Sequence, residues 1–399
     1  MMKHLFRGVS AKWLTRLVLL CYVGMVLLLV VATFVASAEG TCEASAAGTC
    51  VASEAIYQSG WFLMWWGVLG AMLLVMLCCC CFRCSCRCRC RGAVAHLHFS
   101  FVLILLGAGL TYLTAHRGVV YLQPGLAVDR YLDAEHHRIL PLPFTLQLDS
   151  LRVVRDPGTE QHADYVSYLH ADTVPMTVSM NRVTSVKGYR MIPYSYDEAN
   201  QVSWLSVNHD PWGIGVTYLG YLWFAVSFML LLRRHWGVVL LALLAGGGLQ
   251  LYAGSTPLMP VLRSAWLGIH VSFIVMAYTL FAFLAVNGAM ALCLPSRCEA
   301  LMKQSLRLLR PAEGLLGLGI FMGAVWANQS WGRYWAWDAK EVWALITFML
   351  YALPFHYRRI GWLQQPLRFH LFLIGAFLSV LFTYFGCNYL MAGLHSYVG

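Results

Sequence analysis

Residues 14–37 read LTRLVLLCYVGMVLLLVVATFVAS, with one arginine, no acid and no proline. A run this apolar and this long spans the hydrocarbon core of a bilayer as a helix, which needs about 20 residues. Eight further runs of helix-like length follow, at 60–81, 94–114, 214–232, 236–253, 268–293, 312–327, 341–357 and 369–386. Of 399 residues, 59% are hydrophobic and only 12% charged, against about 25% charged in a soluble domain. That excludes an ordinary soluble enzyme and a disordered chain. The expected fold is an all-α polytopic membrane protein with about nine transmembrane helices and a small β-rich external domain. Membrane lipid is its surroundings.

The formal net charge is +10. In a soluble protein that excess would suggest nucleic acid. In a membrane protein the placement of Lys and Arg matters more, because they are retained on the cytoplasmic side. Lys3, Arg7, Lys12 and Arg16 gather at the start of the first span, so the N-terminus is expected in the cytoplasm and, after nine spans, the C-terminus outside. The cytoplasmic turns then hold Arg83, Arg87, Arg89 and Arg91, then Arg233 and Arg234, then Arg297, Lys303, Arg307 and Arg310, and last Arg358, Arg359 and Arg368. The short outer segments carry only Arg263, Arg333 and Lys340. No nucleic-acid partner is expected, and the charge pattern implies a multi-pass membrane protein. Ala36, Ser37 and Ala38 resemble a signal-peptidase site. The apolar run is longer than a usual signal core, so a retained anchor is preferred.

Residues 115–213 differ in composition. Phe144, Leu146 and Leu148, then Met176, Val178 and Met180, alternate with polar residues as strands do. Asp156-Pro157-Gly158 and Lys187-Gly188 supply turns. Of 14 cysteines, eight crowd into residues 78–90, CCCCFRCSCRCRC. A reducing cytosol keeps such thiols free. Their alternation with Arg disfavours a dication, and paired CxxC spacing is missing. Juxtamembrane acylation and a plain basic turn both remain open. Cys42 and Cys50 fall outside, where a disulfide can form. No external CxxC exists, so this chain is not read as a thiol reductant.

An ionisable side chain within a span is costly and marks a functional candidate. His4, His235 and His370 lie in or near basic cytoplasmic turns. His116, His136, His137, His162, His170 and His209 belong to the external segment and read as surface or hydrogen-bonding residues. His98 and His356 are different. Counted from the outer ends of their spans, both lie roughly 23–25 Å deep at 1.5 Å per residue. Two imidazoles at one depth on two helices suit a clamp on a metal. His96 is one helical step nearer the turn. His270 opens the sixth span at the outer face and His395 lies in the outer tail, a second pair on the other side. Between them, residues 326–343 hold five Trp and one Tyr in 18 positions. That exceeds the needs of an interfacial belt. Gly332 permits a turn, and Arg333 and Lys340 can meet carboxylates. Such a shelf suits a flat apolar ligand with acid groups, as a porphyrin is, and imidazole is a common axial ligand of its iron.

These residues carry a family resemblance. WGRYWAWDAKEVWALITFMLYALPFHYR, at 331–358, resembles the tryptophan-rich WWD signature of haem-handling proteins of cytochrome c biogenesis. TYFGCNYLMAGLHSY and SAWLGIHVSFIVMAY resemble the C-terminus and the external-histidine helix of the CcsA branch. LPFTLQLDSLRVVRDPGTEQHADYVSYL and SVNHDPWGIGVTYLGY resemble its ResB-like partner. Together they cover most of residues 94–399. The resemblance implies a fused ResB–CcsA, system II cytochrome c synthase, a lyase-type enzyme. Its substrates would be haem b (iron protoporphyrin IX) and apocytochrome c bearing CxxCH. A thiol-disulfide reductant protein would be a further partner.

Residue by residue, the resemblance makes His270 and His395 the external haem ligands and His356 one transmembrane ligand. His98 is preferred over His96 as the other. Trp331, Trp335, Trp337 and Asp338 match the catalytic signature, and Arg333 is a candidate for orienting the propionates. Asp338 and Glu341 are also well placed to cap the next helix. The implied division is 1–93, a two-helix region with the Cys/Arg turn; 94–235, the ResB-like region around the external domain at 115–213; and 236–399, the CcsA-like region with its WWD loop at 326–343. The external segment is short for the family, and the Cys/Arg cluster has no counterpart in it. Two other classes compete. A b-type electron-transfer protein favours two internal histidine pairs, and a solute transporter favours repeats and broken helices, neither of which is seen.

Overall fold

The computed structural model describes residues 11–38, 56–83, 89–133, 138–155, 158, 162–180, 182–232 and 264–391, with a few helical positions between 237 and 248. Among the described residues, seven helices are long and apolar enough to cross a membrane. They are α1 (Ala11–Ala38), α2 (Gly60–Arg83), α3 (Arg89–Thr114), α4 (Gly213–Leu231), α5 (Ala265–Cys293), α6 (Cys298–Ser330) and the helix beginning at Pro366. Nine spans were expected. The run at 236–253 lies mostly outside the described residues, as do Cys42, Cys50, part of the Cys/Arg turn, and His395. The run at 341–357 becomes α7 (Ala339–Ala352), which is too short alone and is finished by the 3-10 turn Leu353–His356. At about 1.5 Å and 2.0 Å rise per residue the two together reach roughly 29 Å, close to the hydrocarbon thickness.

Two other boundaries differ from the apolar runs. α6 has 33 residues, about twice the apolar run at 312–327. Its first half is amphipathic. Leu301, Met302, Ser305 and Leu309 are buried, while Lys303, Arg307 and Arg310 are exposed on the opposite face. Mean apolarity hides such a helix, since only one stripe is apolar. The last span is α8 (Pro366–Leu381), continued by a π turn at Phe382–Gly386 and the short α9 (Cys387–Tyr389).

Between α3 and α4 the chain forms one antiparallel sheet of eight strands, ordered β5-β4-β3-β2-β1-β8-β7-β6. The strands are β1 (His116–Leu122), β2 (Ala127–Asp133), β3 (Ile139–Arg155), β4 (His162–Ala171), β5 (Val174–Val178), β6 (Thr184–Val186), β7 (Tyr189–Asp197) and β8 (Val202–His209). On β3 the alternation is literal: Leu142, Phe144, Leu146 and Leu148 are buried and their neighbours exposed. Lys187 and Gly188 take positive φ at the β6–β7 turn. The sheet curls until its ends meet, with Thr184 Oγ1 donating to the Thr177 carbonyl at 2.7 Å. Ser167 and Ser203 hydroxyls pair inside at 2.7 Å.

Lipid gives no hydrophobic drive between helices, so close backbone approach has to hold them. α3 and α4 meet through glycines: a Cβ on Gly107 would fall 2.5 Å from the Thr217 backbone nitrogen, and one on Gly213 2.4 Å from that of Thr111. α6 receives the Phe228 ring at Gly314 and the Phe224 and Phe348 rings at Gly317. α1 packs on α7, where Tyr22 Oη donates to the Met349 carbonyl at 2.8 Å and Phe34 sets its ring edge-on to Trp343. Gly107→Ala is expected to separate α3 from α4 and to cost about 1–3 kcal/mol, as overpacking does. Thermal unfolding in detergent reads this as a lowered midpoint.

Candidate functional site

Two histidines far apart in sequence meet in space. The rings of His98 on α3 and His356 at the end of α7 lie 6.0 Å apart, centroid to centroid, at an interplanar angle of 67°. A metal bound by two opposed imidazole nitrogens at about 2.0–2.1 Å each would separate the rings by roughly that distance. His98 Nδ1 lies 2.8 Å from the Val94 carbonyl. A carbonyl only accepts, so Nδ1 carries the proton and Nε2 the lone pair, the tautomer of a metal ligand. His356 is exposed and His98 half-buried, so the pair opens on the bundle surface. His96 instead packs against Trp223 at 5.8 Å.

His270 sits on the second turn of α5, against the far half of α6. Its Nδ1 is 2.7 Å from the Gly319 carbonyl, which again leaves the lone pair on Nε2. The ring fits because Gly323 has no side chain: a Cβ there would lie 2.6 Å from His270 Nδ1 and Cε1. Beyond Gly323, α6 runs through Trp326 and Asn328 and ends at Trp331, whose backbone N–H bonds to the Ala327 carbonyl. His270 therefore adjoins the helix that delivers the tryptophan loop. Its expected companion, His395, lies outside the described residues.

The loop from 331 to 338 is irregular and anchored on several sides. Gly332 and Trp337 take φ of +77° and +58°. Glycine adopts that conformation freely, whereas Trp337 is held in it by neighbours. Trp337 stacks on Tyr57 at 4.8 Å and 10° and meets the Phe62 and Trp335 rings edge-on. Trp331 packs against Trp326 at 4.8 Å. Trp335 Nε1 is a buried donor with no acceptor among the described residues. Arg333 is half-buried in the same loop. Tyr334 Oη donates to Thr111 Oγ1 at 3.0 Å, and Thr111 to Asp210 Oδ2 at 2.7 Å.

Asp338 closes the loop as the N-cap of α7. It accepts from the Lys340 backbone N–H at 3.0 Å, while the Glu341 carboxylate accepts from the backbone N–H groups of Ala336 and Asp338. This reciprocal capping box ties the end of the loop to the start of the helix.

Several contacts were not singled out from the sequence. Arg190 on β7 donates through both terminal nitrogens to Asn328, to Oδ1 at 2.5 Å and to the backbone carbonyl at 2.6 Å. Asn328 Nδ2 donates to Tyr218 Oη at 2.5 Å, and Asn208 Nδ2 to the Gly332 carbonyl. Burial pulls the Arg190 guanidinium below its ordinary range, and the negative charge of Asp210 works the other way. Glu313 on α6 is buried at 3% exposure, and among the described residues neither carboxyl oxygen has a hydrogen-bond partner. An acid inside an apolar run was a legible signal for it. His370, read as part of a basic turn, is fully buried on α8, with Nε2 at 3.1 Å from the Cys298 carbonyl.

Gly323→Ala is expected to push the His270 ring off the Gly319 carbonyl. Modification of His270 by diethyl pyrocarbonate, followed by mass spectrometry, should then accelerate while that of surface histidines stays level.

The profile of the cytochrome C assembly protein family matches residues 214–395. That range takes in α4 through the tryptophan loop and α8. Protein NrfI of Wolinella succinogenes is 38% identical over 194 residues, covering 44% of this chain and 22% of that protein. The cytochrome c biogenesis protein CcsA of Chlamydomonas reinhardtii is 34% identical over 203 residues, covering 44% of this chain and 55% of its own length. The chain thus spans about half or less of the length of these curated relatives. CcsA of Parasynechococcus marenigrum is 34% identical over 227 residues, and 73% of it is covered. On that likeness, the chain belongs to the cytochrome c assembly protein family.

Proposed function

We propose that this chain is a fused ResB–CcsA-type, system II cytochrome c synthase of a bacterial cytoplasmic membrane. Haem b is its substrate, carried rather than retained. One observation supports this most: His98 and His356 come from distant parts of the sequence, yet their rings face one another at 6.0 Å. His98 is already fixed in the ligating tautomer by the Val94 carbonyl. This pair takes haem from the cytoplasmic side. Delivery follows to the outer face, where His270 and His395 hold the iron and Trp331, Trp335 and Trp337 form the shelf under the porphyrin. Arg333 orients the propionates. Asp338 acts by holding the loop on α7 through its capping box.

The chemistry at the outer face is addition. Each cysteine thiol of an apocytochrome CxxCH segment adds across a haem vinyl group. A C–S bond forms, the vinyl double bond becomes single, and the thiol proton passes to the other vinyl carbon. No net oxidation occurs, so the thiols must arrive reduced, which calls for a thiol-disulfide reductant partner. The histidine of the segment then replaces one of the chain's own imidazoles. Much of the rate comes from holding vinyl and thiol in register, and the porphyrin supplies the reactive group.

The test is maturation in cells lacking any other cytochrome c synthase. The full chain is expressed with an apocytochrome, and denatured gels are stained for covalent haem. Wild type is expected to give a stained band, and His98→Ala, His356→Ala, His270→Ala and His395→Ala each to lose it. A wild type that binds haem but yields no covalent product, even with the reductant supplied, would favour a b-type electron-transfer protein.

A further inference from the structure

The loop that carries the tryptophans stands on the β domain. Ile192 on β7 lies under Gly332, with its Cδ1 2.5 Å from where a Cβ would sit. Asn208 on β8 grips the Gly332 carbonyl. The strongest grip is one turn earlier. Both terminal nitrogens of Arg190 end on Asn328, one on the side chain and one on the main-chain carbonyl. Asn328 is 3% exposed and lies in the last turn of α6.

That placement has a physical logic. The last carbonyls of a helix lack intrahelical donors and carry the negative end of its dipole. A guanidinium satisfies both at once. Its planar fork makes two charge-assisted bonds from one rigid group, which the single ammonium of lysine cannot reproduce. Asn328 passes the constraint on to α4 through Tyr218. The same stretch of α6 also carries the Gly319 carbonyl that orients His270 and the Gly323 gap that admits its ring. One side chain of the β domain thus holds the point where the His270 seat ends and the tryptophan loop begins.

We propose that Arg190 is a positioning residue for the outer site: docked on Asn328, it sets the tryptophan shelf in register with His270, so that the β domain controls how a ligand is presented there. The identity of that ligand as haem rests on the function proposed above. The clamp itself does not.

The experiment compares wild type with Arg190→Ala and Arg190→Lys in the full-length protein. Hydrogen–deuterium exchange needs no ligand and reads the clamp alone. Backbone amides at 328–338 should exchange faster in Arg190→Ala, while β3 and β4 keep their protection. Arg190→Lys should fall between, since it keeps the charge and loses the fork. Covalent haem product should fall about tenfold or more in Arg190→Ala, the size expected for losing a charged hydrogen-bond pair. Haem retained by the His98 and His356 pair should stay within about twofold. Unchanged loop exchange in Arg190→Ala would overturn the clamp. Parallel loss of loop protection, β-strand protection and inner-site haem would overturn it too, by showing a general folding role. If loop exchange rises but wild type forms no covalent product, the clamp stands and the synthase reading fails.

Discussion

The close approach of α6 to its neighbours is the constraint on which the rest of the structure depends. Within a bilayer, apolar side chains gain nothing by leaving lipid for one another, so contact distance decides which helices pair. The glycines of α6 set those distances. Gly314 and Gly317 take in the phenylalanines of α4, Gly319 takes in Ile274 of α5, and Gly323 takes in the His270 ring. A larger residue at any of these positions would force the ring or side chain packed there to move. Because α6 also ends in the tryptophan loop, one rigid element sets both the His270 seat and the start of the aromatic shelf.

The loop itself is irregular backbone between the end of α6 and the start of α7. Such backbone persists only where its polar groups find partners. Here Asn208 of the sheet donates to the Gly332 carbonyl and the Glu341 carboxylate of α7 accepts from the Ala336 and Asp338 N–H groups, while Arg190 on Asn328 and the Tyr334 hydroxyl on Thr111 of α3 brace the loop from outside. Stacking on Tyr57 brings in the segment just before α2 as well. The β domain and the first two helices therefore meet the family region at its most unusual stretch.

Much of this was legible in the sequence, for physical reasons that can be named. Long apolar runs announce helices because lipid permits little else. The alternation on β3 announces a half-buried strand, and its burial follows the pattern residue by residue. Depth counting along two helices put His98 and His356 at one level, since helical rise is nearly constant, and the fold brings their rings to 6.0 Å. Other features were hidden. The amphipathic start of α6 has a low mean apolarity, and the 3-10 ending of α7 leaves no periodic mark. Arg190 and Asn328 are 138 residues apart, and neither carries a local signal of its partner. Asp338 was open between chemistry and capping, and the geometry shows the cap.

The central claim is that His98 and His356 hold one iron porphyrin between them. The most direct test is electron paramagnetic resonance of the ferric protein, purified as His270→Ala so that only the inner pair remains. The account predicts a low-spin signal typical of two imidazole ligands, lost on adding either His98→Ala or His356→Ala. A high-spin signal, or a low-spin one that survives both substitutions, would contradict it.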